Sequence, residues 1–270
     1  IQVTKLIAEI GWNFIGNINL AKEMISAAKE SGADFAKFQT WSTKDLVKGP
    51  WHKDNRINLY KKAELSEDDH YELNEYCKKN KINFLTSVFN KKYLKFLKHL
   101  KLKTIKVASM EITNIELLKE MNKIYNNIII STGASKIDEV KKVFNFINKK
   151  KCTLMHCVSA YPTPAENINL PRIKILKKIC KKVGYSGHMI GISDALGSLE
   201  YDPIYIEKHF TIDKNLPGRD NQLAILPGEM KILSNYIKDY KKIQKNKGSN
   251  YQKIEKEVRL NYRNRWSNTP

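Results

Sequence analysis

The chain is poor in cysteine, in long apolar runs and in acidic residues, and each scarcity excludes something. Its four cysteines, Cys77, Cys152, Cys157 and Cys180, form no C-x-x-C pair. In a chain of 270 residues they read as reduced thiols, and a cytoplasmic setting is expected. No signal peptide is visible, and no apolar run approaches the ~18 residues of a membrane span, so no membrane partner is expected. No G-x-G-x-x-G follows the first candidate strand, which weighs against an open dinucleotide-binding sheet. Acidic side chains number 28 against 48 basic ones, a net charge of +20. Such an excess can signal nucleic acid, an anionic membrane or an anionic substrate. Here Lys and Asn are spread over the whole length, with no basic stripe and no aromatic-interleaved basic motif. Compositional bias is the better explanation, and no nucleic-acid partner is expected. The densest basic run, KKYLKFLKHLKLK at 91–103, reads as one amphipathic helix with Leu94, Leu97 and Leu100 on its apolar face.

What is present is a regular alternation. Short apolar runs at 6–11, 35–40, 83–88, 104–109, 127–132, 152–159, 183–188 and 204–210 read as strands. Helix-period segments lie between them, among them 20–32, 66–80 with Ser66 as cap, 135–150 and 226–243. Eight strand–helix units at this length predict a parallel sheet closed as a (β/α)8 TIM barrel. The barrel is expected over residues 1–245, with 246–270 a C-terminal extension and no separate domain. The linker 41–65, rich in Trp, His, Arg and Tyr, is too long for a plain turn and reads as a lid or wall of a site.

In a barrel, function gathers at the C-terminal ends of the strands, and here those ends are polar. In FAKFQT, Lys37 and Gln39 are two apart and point the same way, into the barrel. Lys106 and Ser109 cannot both obey strict alternation, so Ser109 is expected where its strand turns into a loop. A buried lysine is rare unless paired. Two inward lysines with several hydroxyls suit a phosphorylated anion, whereas each alone could form an ion pair with Glu9 or Glu207. The run IYIEKHFTID at 204–213 ends an apolar strand in three ionisable groups, which is costly unless something uses them. His188 and His209 end adjacent strands, and two such imidazoles can converge on a divalent ion. His156, earlier in its strand, reads as a hydrogen-bonded barrel histidine.

The segments KLIAEIGWN, AAKESGADFAKFQTW, ASMEITNIELL, IIISTGAS, LMHCVSAYPTP, VGYSGH and IEKHFTIDKNLPGRD occur in this order. Together they resemble the sialic acid synthase family, which includes the N-acetylneuraminate, legionaminate and pseudaminate synthases. The most specific are H-C-x-x-x-Y-P-T-P at 156–164 and E-K-H-F-T-x-D at 207–213. The resemblance implies a barrel enzyme that condenses phosphoenolpyruvate with an open-chain aldehydic (amino)hexose to a nine-carbon 2-keto-3-deoxy acid and phosphate. It implies a divalent metal on His188 and His209, manganese before magnesium or cobalt. It implies phosphoenolpyruvate contacts at Lys37, Ser87, Lys106, Ser109 and Ser131, with Gln39 beside them. Tyr161 and Asp220 fall on the sugar side, and Glu111 matches a catalytic carboxylate. Lys37, His188 and His209 count as catalytic with it. A homodimer is implied as well.

The chain also departs from that pattern. Asn13-Phe14-Ile15-Gly16 stands where the family carries Asn-His before a polar residue and Gly. Ser186-Gly187-His188 lacks the acidic residue that often precedes the histidine. Val88 stands where a Pro is found, Ser159 where an Asn is common, and Arg219 where a Pro is frequent; Arg219 could meet a carboxylate or phosphate on the substrate. The residues after 245 are too few to hold the antifreeze-like C-terminal domain that many members carry, so either the natural protein lacks it or this chain is a fragment of a longer one. A related 3-deoxy-ulosonate synthase using another aldose or sugar phosphate, and a non-catalytic sugar-binding barrel, are the alternatives.

Overall fold

The computed structural model describes residues 3–266. Eight strands close into a barrel in sequence order: β1 (Lys5–Gly11), β2 (Phe35–Thr40), β3 (Asn83–Val88), β4 (Ile105–Val107), β5 (Ile128–Ser131), β6 (Cys152–His156), β7 (Val183–Gly187) and β8 (Tyr205–His209). Every neighbouring pair is parallel, and β8 closes on β1 with Glu9 opposite His209. The helices are α1 (Ile18–Glu30), α2 (Arg56–Ala63), α3 (Glu67–Lys79), α4 (Leu94–His99), α5 (Ile115–Ile124), α6 (Ile137–Lys142), α7 (Arg172–Ile179), α8 (Ser193–Ser198), α9 (Arg219–Leu223), α10 (Pro227–Ile243) and α11 (Lys256–Asn261). None is long and apolar enough to cross a membrane. Contacts within the chain define one compact unit up to Ile237 and a second from Lys238 onward. In the second, Arg259 lies 4.5 Å over the Tyr251 ring.

The strands show why one end of the barrel is the business end. Side chains two apart share a face. On the inner face Ile7, Phe35, Leu85, Ile129, Met155 and Tyr205 form one buried apolar layer. Two residues further along the chain stand Glu9, Lys37, Ser87, Ser131 and Glu207 on the same strands and Cys157 just past the end of β6. A tight apolar floor therefore carries a polar layer above it. Gly184 belongs to that floor: a Cβ there would press on the Tyr205 carbonyl and side chain.

Two expected helices come out shorter, for local reasons. The run 91–103 divides at its start, where the Asn90 side chain accepts from Lys92 N (3.1 Å) and caps a 3-10 turn before α4. The helix then stops before Lys101, which takes a positive φ of 54°. Leu94, Leu97 and Leu100 are all buried, as its periodicity predicts. Likewise 135–150 is helical only over α6, before the 3-10 turn Val143–Asn145; Asn148 then caps a second turn through Lys150 N. Ser66 caps α3 as expected, its hydroxyl accepting from Asp69 N while the Asp69 carboxylate accepts from Ser66 N.

Candidate active site at the barrel mouth

At the C-terminal ends of the strands lies a cavity of about 690 Å³. Each site residue expected from the sequence lines it: Lys37, Gln39, Ser87, Lys106, Ser109, Glu111, Ser131, Tyr161, His188, His209, Arg219 and Asp220. Its floor is a buried charge cluster. Lys37 Nζ lies 2.5 Å from Glu9 Oε2 and 3.6 Å from Glu207 Oε1. Lys106 Nζ lies 2.6 Å from the same Glu207 oxygen. Gln39 Nε2 donates to Glu9 Oε1 at 2.8 Å, and Ser186 Oγ to Glu207 Oε1 at 3.1 Å. So both readings of the lysines hold together: they are ion-paired, and they face the cavity with the serines. Burial raises the Glu207 carboxyl, but Lys106 and Lys37 outweigh it and hold the group down to about 2. Burial lowers Lys37, yet Glu207 and Glu9 leave it above its ordinary value. For Lys106 burial wins and its value falls. Four desolvated charges are tolerated only while paired, so two cations stand ready to share an incoming anion.

β4 ends at Val107, and Ser109 and Glu111 sit in the 3-10 turn that follows, where broken alternation placed Ser109. Glu111 accepts from Asn114 Nδ2 at 2.8 Å and leaves its carboxylate on the cavity wall. Ser109 Oγ accepts from Gly133 N and lies 3.2 Å from Cys157 Sγ.

Across the mouth, the rings of His188 and His209 have centroids 5.5 Å apart at 53°. His188 Nδ1 lies 2.7 Å from the Val158 carbonyl, which makes it the protonated nitrogen and Nε2 the free lone pair. Burial, then His209, pushes His188 down to about 3, so its ring is neutral. His209 Nδ1 is buried without a hydrogen-bond partner and lies 3.7 Å from Asp220 Oδ2. Imidazole nitrogens lie about 2.1 Å from a bound divalent ion, so two rings sharing one have centroids roughly 4.5–6.4 Å apart. The pair fits such an ion by spacing and by donor type. Among the described residues no group of three or more His, Cys, Asp or Glu is gathered around one ion site. His156 is not part of this pair: its Nε2 lies 2.8 Å from the Ile168 carbonyl.

The linker after β2 forms the outer wall, through two 3-10 turns and α2. Tyr60 on α2 packs against Trp12 (5.3 Å) and Trp41 (5.8 Å). Trp12 Nε1 donates to Asp220 Oδ2 at 2.7 Å, tying the loop after β1 to helix α9 beyond β8. Phe14, where the sequence pattern departs, is buried in the core against Phe38. Sequence reasoning missed Trp12, Arg56, Tyr60 and Cys157 as lining residues. Only the length and aromatic content of 41–65 hinted at two of them, and the H-C motif at the last.

A polar cradle beside paired imidazoles, above a sealed apolar floor, defines a (β/α)8-barrel enzyme acting on an anionic substrate. A model of the NeuB family matches residues 24–249. The N,N'-diacetyllegionaminic acid synthase of Campylobacter jejuni is 37% identical over 256 residues, 88% of this chain and 77% of its own length. The pseudaminic acid synthase of Helicobacter pylori is 33% identical over 240 residues, 83% of this chain and 71% of its own. The N-acetylneuraminic acid (sialic acid) synthetase of Leptospira borgpetersenii superposes with a TM-score of 0.85 at 30% identity, covering 100% of this chain and 94% of that one. The chain belongs to the NeuB family. It is a phosphoenolpyruvate-dependent transferase that joins that substrate to a sugar through a new carbon–carbon bond.

Proposed function

We propose that the sugar is an open-chain aldehydic hexose, in the first place an amino-hexose, and that the product is a nine-carbon 2-keto-3-deoxy acid. The observation that carries this reading is the two-part cavity: a lysine–serine cradle on one side and the His188–His209 pair on the other. Lys37, Lys106, Ser87, Ser109 and Ser131 hold the phosphate and carboxylate of phosphoenolpyruvate, with Gln39 beside them. Tyr161, Asp220 and Arg219 contact the sugar and present its aldehyde carbon to C3 of the enol ester. A divalent ion on His188 and His209, manganese first, would supply Lewis acidity to the aldehyde oxygen. The new bond forms from C3 to the aldehyde carbon and leaves C2 electron-poor. Glu111 stabilises that carbon and takes a proton from the water that adds to it. The hemiketal phosphate then expels phosphate by C–O cleavage, the C2 hydroxyl gives its proton to the departing phosphate and the ketone remains, while the alkoxide left on the former aldehyde carbon takes up the proton that Glu111 removed from water. Lys37 and Lys106 neutralise the departing phosphate.

The test is phosphate release from phosphoenolpyruvate with Mn²⁺ and a panel of aldoses, N-acylated, free-amino and phosphorylated. Release with an unphosphorylated amino-hexose is expected. Release with sugar phosphates alone would move the acceptor to that class and give Arg219 the phosphate; no release with any aldose would sink the reading. The same reading expects a cytoplasmic homodimer, and a monomer in sedimentation at micromolar concentration would count against the latter.

A further inference from the structure

A second buried network lies on the outer face of the barrel wall, beside the ends of β7 and β8 that lead to the two imidazoles. Lys208 lies between Glu207 and His209, so its side chain leaves the barrel on the opposite face. There its Nζ lies 3.0 Å from both oxygens of Asp194 on α8. It also donates to the carbonyl of Met189, the residue after His188, at 2.7 Å. Tyr185 Oη donates to Asp194 Oδ2 at 2.9 Å. Lys208, Asp194 and Tyr185 are all buried. Gly187 is the register partner of Lys208, and a Cβ at Gly187 would collide with the Asp194 carboxylate. The carboxylate therefore occupies the space that the missing side chain leaves at the end of β7.

We propose that Asp194 is a positioning residue: seated against Gly187, it aims Lys208 at the Met189 carbonyl and so fixes the turn that holds His188 beside His209. The inference rests on the reading that these two histidines work as a pair. It follows from the connectivity. His188 has its carbonyl bonded by Thr163 N and its ring bonded to Val158, both on the β6 side. The bond from Lys208 ties the segment after His188 directly to β8, the strand that carries His209. Remove the carboxylate, and a lysine with a flexible stem has lost the anion that orients it.

The test compares Asp194→Asn, Lys208→Met and the double variant in hydrogen exchange, melting and kinetics. Each single variant is expected to exchange the amides of 187–191 at least tenfold faster than wild type, about the gap between a held and a loosened turn. Its kcat is expected to drop about 10- to 100-fold with KM for phosphoenolpyruvate nearly unchanged. The double variant removes both buried charges, so its melting temperature should recover towards wild type. Exchange at 187–191 and kcat should stay impaired, because the bond to Met189 is still missing. Recovery of exchange and kcat along with the melting temperature would make the pair merely stabilising and overturn the proposal, as would unchanged local exchange in the singles. Exchange needs neither substrate nor metal, so it decides this point even if the panel of aldoses shows no turnover.

Discussion

Glu9 and Glu207 show how a single carboxylate serves structure and site at once. Each is buried, each neutralises a lysine, and Glu207 serves both lysines through the same oxygen. Replacing Lys106 with Met should leave Glu207 with the longer ion pair to Lys37 and the hydrogen bond from Ser186. Breaking a buried pair costs about 3–5 kcal/mol, and Lys37 should keep the loss near the lower figure. The same variant should raise KM for phosphoenolpyruvate at least about tenfold, since one cation of the cradle is gone; an unchanged KM would place the anion elsewhere. Glu111→Gln keeps the shape and the Asn114 contact but cannot take a proton. Its kcat should fall about 10²- to 10⁴-fold with both substrates still bound, checked by steady-state kinetics and by titration of phosphoenolpyruvate.

Strands and helices were legible wherever a segment carries its own signal. β2 and β3 have the bounds that alternation predicts, and α3 starts where its capping box says. Two helix bounds failed where an Asn side chain caps a 3-10 turn at the edge of a helix-period run or within it, a local competition that hydrophobic spacing does not register. The strands expected at 104–109 and 152–159 end earlier, at Val107 and His156. α3 also carries a titratable latch. His70 Nε2 meets the Thr40 hydroxyl on β2 at 2.8 Å, and Nδ1 meets the Ser66 carbonyl at 2.7 Å. Burial lowers its value below 6.5, although the Ser66 bond opposes this. The unfolded chain then takes up the proton first. Stability from this group is complete above about pH 6.5 and is lost as pH falls below it. Melting temperature should therefore decline below pH 6.5, and His70→Gln should flatten that decline, as read by calorimetry across pH 5–8.

For the molecule as a whole, metal and fold should be linked. An ion bound only by the folded chain at a hundredfold excess over Kd adds about 2.7 kcal/mol. In a domain of this size that is a rise of roughly 5–10 °C in melting temperature. Mn²⁺ should produce it in wild type and fail to in His188→Ala or His209→Ala; equal shifts in all three would move the ion off these rings. The amino-acid order established the barrel and pointed to its polar strand ends and to some of the side chains that line the cavity there, because strand alternation and polar strand ends are local patterns. Which charge meets which was settled by closure of the sheet. Lys106 finds Glu207 101 positions away, and Trp12 finds Asp220 208 positions away. Asp194 fills the space beside Gly187 because helix α8 packs on the outer face there. No local pattern encodes such partners, since they become neighbours only when β8 returns to β1 and the helices settle around the ring.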